Sequence, residues 1–354
     1  MSDRHARRAA LFVLGFVLTA CQGSSPAPSQ SASSSGEASP SPADTGPELP
    51  AGRIAYDRLR GEFGYEQPYE GTFVASGTST NEQPIEVETQ GEGIVPTWSP
   101  DGSKLLVNIW RPDIPGRPGI VDPDGSNLVI LEPEGLTGFL WCTGWSPDQT
   151  RLAWTVDNDA DPASEGIYTV GVDGQNLTQI TVSPNPSVEG TVSACGGNDI
   201  APAYSPDGSR IAFVRAKCGP GEDPSGGQTA TIAVVNVNGT HLVEITEPGL
   251  ANSHGYSRVR WSPDDDRLVF GAEDGTLYLV NPDGSEPIEI ALDIDASQAF
   301  AYTPDWSPDG TLIVFSLWVP GSTDLFVARP DGSDVTQITD GSFAEVWASW
   351  ASGP

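Results

Sequence analysis

The sequence predicts an all-β chain in which one four-stranded antiparallel unit is used six times. Three observations predict it. The first is a motif, Trp-Ser-Pro-Asp-Gly, that returns with small changes. It stands in PTWSPDGSKLLV from Pro96, GWSPDQTRLAW from Gly144, AYSPDGSRIAF from Ala203, RWSPDDDRLVF from Arg260 and DWSPDGTLIVF from Asp305. The second is spacing. The aromatics Trp98, Trp145, Tyr204, Trp261 and Trp306 are 47, 59, 57 and 45 residues apart, and Trp350 follows 44 residues later. A period of that size marks one structural unit copied along a chain. The third is that no segment after residue 21 has helical periodicity of useful length, while short apolar runs bounded by turn residues abound.

Each copy reads as a hairpin followed by a second one. A short apolar strand enters Ser-Pro-Asp-Gly, where Pro presets φ and Gly accepts a positive φ. A second strand follows, as in Leu105-Leu106-Val107 or Ile211 to Phe213. Further on come strand pairs such as ATIAVVNVNGTHLVEIT and TLYLVNPDGSEPIEIAL, joined by Asn-Gly or Asp-Gly, the strongest short hairpin signals. Four short antiparallel strands repeated this way make the blade of a β-propeller. After Trp350 the last unit lacks three strands. RIAY from Arg53, GTFVAS from Gly71 and PIEVET from Pro84 supply them. The expected fold for residues 51–354 is therefore a six-bladed β-propeller, closed by N-terminal strands that complete the C-terminal blade and leave no open edge.

The Trp-Ser-Pro-Asp-Gly turn followed by an Asp-Gly hairpin resembles the WD-like propeller repeat of the TolB family, over about 300 residues. TolB carries an additional N-terminal α/β domain, where this sequence has a Ser/Pro-rich stretch. TolB's role in the Tol–Pal system therefore does not carry over. The Gly-His and Trp-Asp signatures of true WD propellers are missing.

The first fifty residues read as address and tether. Arg4, His5, Arg7 and Arg8 precede an apolar run from Ala9 to Ala20, the layout of a secretory signal over residues 1–20 and short for a bilayer span. Leu18-Thr19-Ala20-Cys21 resembles the bacterial lipobox, which implies cleavage before Cys21 and acylation of its thiol with a palmitate-like chain. An ordinary secretion signal is the alternative. Residues 21–50 are almost all Ser, Pro, Ala and Gly, too polar to fold, and span on the order of 30 Å as a flexible chain. These features place the folded part on the extracytoplasmic side of a cell membrane.

Charge excludes some partners. The chain has 17 Lys and Arg against 48 Asp and Glu, a formal net charge of −31. Loss of residues 1–20 removes Arg4, Arg7, Arg8 and Asp3, leaving 14 basic against 47 acidic residues, or −33. Such a surface repels nucleic acid and anionic lipid, so contact with a membrane would rest on the lipid anchor alone. The chain is expected to act as a monomer.

In a four-stranded blade the first-to-second and third-to-fourth turns share one face, which here receives tight turns. The other face receives the long segments 58–70, 111–117, 157–166, 182–199, 216–229, 247–255 and 292–300. Long loops on a rigid scaffold are where binding resides, so this loop face is the expected working face. Trp110, Tyr168, His254, Tyr256 and Trp318 lie on or near it and are the candidate binding residues, though most could equally be blade packing. The recurring Trp or Tyr of the motif reads as packing between blades.

Three further cysteines remain. Cys195 and Cys218 lie 12 and 11 residues either side of Asp207, opposite each other across one hairpin, and are expected to form a disulfide in an exported protein. Cys142 is left over, and pairings that include it stay open. In DNDADPASE, Asp157, Asp159, Asp161 and Glu165 form a candidate calcium loop. The Gly of an EF-hand is replaced by Pro162 and the Glu comes three positions early, so a solvated acidic loop is the competing reading. No other cofactor is indicated.

Catalysis has little support. No Gly-x-Ser-x-Gly elbow or zinc-type cluster is present, His241 falls in a predicted outer strand, and His254 alone is placed for chemistry. The expected function is a membrane-anchored binding or scaffold lipoprotein that engages a protein or peptide through the loop face. The alternative is an extracytoplasmic enzyme or a binder of a small carbohydrate-like ligand in the channel.

Overall fold

In a computed structural model the described residues are 52–60, 69–76, 82–87, 95–111, 114–134, 136, 138–158, 161–184, 198–218, 228–252, 258–292 and 299–351. The repeated turn shows why the motif folds as it does. In every copy the Ser hydroxyl donates to the Asp two residues on, at 2.8 Å for Ser99–Asp101, 2.6 Å for Ser146–Asp148 and Ser205–Asp207, and 2.7 Å for Ser307–Asp309. The same Asp oxygen accepts the next backbone N–H, from Ser103, Thr150, Ser209 or Thr311. Gly102, Gly208 and Gly310 then take φ near 70°. These hydrogen bonds favour the ionised turn carboxylates and hold Asp101 and Asp207 down at about 2.

Each turn joins the first two strands of a four-stranded antiparallel group. The groups in chain order begin with β1 (Arg53–Leu59), β2 (Tyr69–Ser76) and β3 (Glu82–Ile85). Next come β4 (Thr97–Trp98), β5 (Leu105–Arg111), β6 (Ile114–Val121) and β7 (Val129–Ile130), then β8 (Phe139–Trp145), β9 (Arg151–Asp157), β10 (Gly166–Gly171) and β11 (Thr178–Gln179). The fourth is β12 (Asp199–Tyr204), β13 (Arg210–Cys218), β14 (Gln228–Asn236) and β15 (Val243–Glu244). The fifth is β16 (Val259–Trp261), β17 (Leu268–Gly271), β18 (Leu277–Val280) and β19 (Ile288–Ile290). The last strands are β20 (Phe300–Trp306), β21 (Ile313–Val319), β22 (Ser322–Ala328), β23 (Thr336–Gln337) and β24 (Ala344–Ala351). β24 does not extend the group of β20 to β23 in the manner of a fifth antiparallel strand. It pairs antiparallel with β1, so the order β24-β1-β2-β3 joins the two ends of the chain, and one parallel bridge, Thr323 to Ala344, links it to β22.

The architecture is nearly all-β. The described residues contain a single 3-10 turn, Pro162–Ser164, and no helix long and apolar enough to cross a membrane. The inner strands β4, β8, β12, β16, β20 and β24 touch in succession, and β24 touches β4. The apolar core lies between neighbouring groups. Val214, Ile232 and Val259 with Phe270 fill one such space; Val74 and Ile85 with Leu105 and Val107 fill another. Strand alternation puts one face of each sheet against each neighbour, which is why β5 and β13 are apolar on both faces.

The motif aromatic locks neighbouring groups together. The Trp145 indole N–H donates to the Thr97 carbonyl at 3.2 Å, Trp261 to Ala203 at 3.0 Å and Trp306 to Arg260 at 3.4 Å, each acceptor on the preceding inner strand. Arg53 at the start of β1 and Arg210 just past its turn stack on Trp98 and Trp261 of the following group, 4.5 Å and 4.6 Å from the ring centres. The reading of these aromatics as packing between repeats holds.

Three expectations need correction. Segment 111–117 is mostly strand, since β5 runs to Arg111 and β6 starts at Ile114, and β13 and β14 likewise extend into 216–229. Short cross-strand pairs there satisfy backbone groups that an irregular loop would leave to water. His241 is not in a strand: it stands at φ 55° in the turn before β15, its Nδ1 3.1 Å from Asn236 Nδ2.

Arg58 on β1 holds the seam between the two ends of the chain. Its Nη2 donates to both oxygens of Glu82 on β3, at 2.8 Å and 2.9 Å, and its Nε to Glu345 on β24 at 3.0 Å. Glu345 is fully buried, and burial pushes its carboxyl up to about 7 although the Arg58 charge pulls it down.

Two outcomes are expected. Trp261→Phe removes the indole donor and should cost about 1 kcal/mol, against roughly 3–5 kcal/mol for Trp261→Ala, read from urea midpoints at constant m. For Glu345 the folded pKa lies above the unfolded one, so its favourable contribution is complete below the unfolded value of 4.5 and is lost as pH rises to about 7. Glu345→Gln should therefore gain thermal stability relative to the parent between about pH 5 and about pH 8, by up to roughly 3 kcal/mol. A difference in Tm that stays constant over that range would refute the assignment.

Candidate functional site

The inner strands carry positions that repeat with the aromatic. One residue before it stand Thr97, Gly144, Ala203, Arg260, Asp305 and Ser349; three before it stand Val95, Cys142, Ala201, Arg258, Thr303 and Trp347. The position three before is irregular. Val95, Ala201, Thr303 and Trp347 have φ of 48°, 55°, 50° and 56°, and the β12–β13, β20–β21 and β24–β1 ladders shift register there. Left-handed backbone at a β-branched or bulky residue is strained, and a bulge re-aims the side chains around it.

At these positions charge is confined to two neighbouring strands. Arg258 and Arg260 on and beside β16 are 2% and 7% exposed, and Asp305 on β20 sits 3.7 Å from the Arg260 Nε. Asp305 accepts the backbone N–H of Trp306 at 3.0 Å and of Trp350 at 3.1 Å. Arg258 Nη1 donates to the Ala348 carbonyl on β24 at 2.9 Å, bridging two inner strands that flank β20. Burial and the Arg260 charge pull Arg258 down to about 9, so it remains a cation at neutral pH; burial also lowers Arg260, against the pull of Asp305.

Aromatic side chains collect where these strands enter from the loop face. Trp318 is half-buried, faces Phe300 across the β20–β21 ladder with ring centres 5.7 Å apart, and packs with Leu59, Tyr302 and Val346. Trp347 joins the same cluster, half-buried. Phe139 and Trp141 enter β8 in the same way, 6.2 Å apart and both half-buried. Trp318 and Trp347 thus form one half-buried aromatic cluster and Phe139 with Trp141 another, while Arg258 and Arg260 are buried on and beside β16.

The residues singled out from sequence are placed unevenly. Trp318 is in the first of these clusters. Tyr168 is 6% exposed between sheets, packed with Leu152 and Trp154, and burial raises its hydroxyl pKa. Trp110 lies in β5, but its side chain, like those of Cys142 and Cys218, is outside the described residues, as are Cys21, Cys195, His254, Tyr256 and Asp159 in full. Of the acidic loop, Asp157 ends β9, Asp161 is exposed and Glu165 is buried. Among the described residues no three His, Cys, Asp or Glu side chains gather into a metal-holding group. Arg258 and Arg260 were missed. Comparing the residue before each motif aromatic would have found one of them, since Arg260 is the sole cation in that column.

No protein-family model matches the chain. An uncharacterized protein of Agrobacterium fabrum is 25% identical over 276 residues, 64% of this chain and 84% of the relative. A TolB homolog of Chlorobium luteolum is 26% identical over 161 residues, 46% of this chain and 30% of the relative. Among solved structures, TolB of Acinetobacter baumannii superposes with a TM-score of 0.59 at 16% identity, over 85% of this chain and 66% of that one. A putative TolB of Agrobacterium tumefaciens gives 0.54 at 16% identity, over 87% and 100%. A chain of the nidogen/laminin complex gives 0.57 at 8% identity, over 85% and 98%. The chain spans about two thirds of the Acinetobacter TolB and under a third of the Chlorobium protein. Its fold is the β-propeller of TolB and TolB-like proteins.

Proposed function

We propose that this protein is a lipid-anchored extracytoplasmic scaffold that engages a protein or peptide through the loop face of a closed six-bladed propeller. The observation that carries the reading is the pair of half-buried aromatic groups at the ends of the strands opposite the repeated turns, Trp318 with Trp347 and Phe139 with Trp141. Half-buried aromatics offer contact area at small entropic cost, which is the usual chemistry of an anchor residue. The structural likeness to TolB proteins supports a place in the cell envelope. Closure is supported by the contact of β24 with β4 and its pairing with β1, and by apolar clusters between successive groups. The signal-like residues 1–20 and the Leu18-Thr19-Ala20-Cys21 motif support acylation at Cys21. A disulfide between Cys195 and Cys218 would close the hairpin of β12 and β13 at its loop-face end.

In-cell crosslinking of the full-length protein tests this reading. One partner should be recovered with the parent and lost when segments 185–197 and 219–227 are shortened or Trp318→Ala is introduced, with folding checked by circular dichroism. Cys21→Ser should move the protein out of the membrane fraction. Recovery of the same partner with both loop-face variants would exclude that face.

A further inference from the structure

One junction between groups departs from the repeat. Tyr204 is the only motif aromatic that is not Trp. At the next junction along the chain Arg210 stacks on Trp261, 4.6 Å from the ring centre, and pairs with Asp265 of the adjoining turn at 2.9 Å. The corresponding residues one junction earlier are Arg151, Tyr204 and Gly208. Gly208 has no side chain to reach back, and Arg151 forms no ion pair and stacks on no ring among the described residues. Its Nη2 turns to its own sheet, donating to the Thr169 hydroxyl at 2.8 Å and to the Asn176 carbonyl at 3.0 Å. The space that a Trp and its stacked arginine would fill is left as a cavity of about 400 Å³ on the turn face, between the group of β8 to β11 and the turn joining β12 to β13.

The lining offers donors and acceptors together. Arg151 and Tyr204 are half-buried, Thr169 is buried, and Asp148, Asp207 and Thr178 are exposed at the rim. Among the described residues nothing accepts from the Arg151 Nε or Nη1, and the Asp148 turn hydrogen bonds all end on Oδ1, leaving Oδ2 open. We propose that this cavity binds a neutral saccharide unit. A sugar hydroxyl donates and accepts at once, so a ring of hydroxyls can serve the guanidinium and the carboxylate together. The Tyr204 ring adds an apolar wall whose negative face suits the C–H groups of a sugar. Charge selects against other ligands. One cation and two carboxylates leave the lining at −1, and Arg210, whose charge Asp207 feels, is paired with Asp265. An acid would meet net negative charge there, within a chain of −31. A cation would offer the guanidinium no acceptor and would be repelled by it. The volume lies within the range of small-ligand clefts, roughly 300–1,000 Å³. A free sugar and the end of a glycan chain share this chemistry. The cavity lies on the face opposite the long loops, so the proposal does not rest on the scaffold reading, and the crosslinking result neither supports nor weakens it.

Calorimetry and saturation-transfer NMR on the full-length protein, in a detergent without a sugar headgroup, test the proposal. The probes are D-glucose, D-galactose, cellobiose and lactose, with the uronic acid and the amino sugar of each hexose as charged counterparts. A neutral sugar should bind saturably at millimolar concentration, and its charged counterparts more weakly. A disaccharide that binds more tightly than its hexoses would assign the cavity to a glycan chain, and equal binding to a free sugar. Arg151→Gln should weaken binding roughly tenfold or more, since it removes charge-assisted donors. Tyr204→Trp gives this junction the ring of the other copies. It should abolish binding by filling the cavity while melting at or above the parental temperature. The proposal is overturned if no neutral sugar binds at millimolar concentration, if a charged counterpart binds as tightly or more tightly, or if either folded variant binds as the parent does. Should Tyr204→Trp melt well below the parent, Arg151→Gln decides alone.

Discussion

The antiparallel pairing of β24 with β1 is the constraint on which the other contacts depend. Without it the sheet of β1, β2 and β3 would lack an inner strand, and β1 would expose a row of backbone donors and acceptors. The seam is reinforced where the backbone ladder is weakest. The register shifts between Ala55 and Asp57, opposite the strained Trp347, and two residues on Arg58 ties β1 to both Glu345 and Glu82. The Arg58 guanidinium also lies 4.3 Å from the Phe73 ring centre and 4.8 Å from that of Phe343, so one cation joins three strands and two aromatic faces. Residues almost three hundred positions apart meet there, which makes the seam the contact of highest loop-closure cost.

The two ends of the inner strands are built for different work. At the turn end the Ser–Asp–backbone hydrogen bonds recur in each copy with little variation, and Trp145, Trp261 and Trp306 are pinned by their indole N–H groups. At the loop-face end the β8, β12, β20 and β24 ladders shift register about three residues before the aromatic. The residues at that position across the six copies are dissimilar: Val95, Cys142, Ala201, Arg258, Thr303 and Trp347. Repetition specifies the scaffold, and departure from repetition marks where individual chemistry can be placed on it.

That contrast explains what was legible in the sequence. The blade unit, the strands at Arg53, Gly71 and Pro84, and the packing role of the motif aromatics could be read because each rests on local turn chemistry or on period. The extension of β5 and β6 into 111–117 could not, because it depends on pairing across Ile109 and Arg117 and not on any local signal. His241 followed a strand-like run, but the Asn238-Gly239 turn continues through it in left-handed backbone. Of the candidate binding aromatics, Trp318 reached the loop-face border and Tyr168 was taken by the core, a difference of sheet face that a one-residue change of register would reverse. The arginine pair escaped because a cation in a strand normally reads as solvent-facing.

The buried arginines also bear on the acidity of the chain. A uniformly acidic exterior lowers the electrostatic potential of the whole interior, which eases the burial of a cation at the centre and makes burial of an anion there dearer. Asp305 and Asp57 persist inside because each is held by specific donors, and Arg258 because its Nη1 donates to the Ala348 carbonyl and two carboxylates attract it. The acidic surface and the buried arginines are thus two parts of one electrostatic arrangement, in which the field of the first offsets part of the desolvation cost of the second.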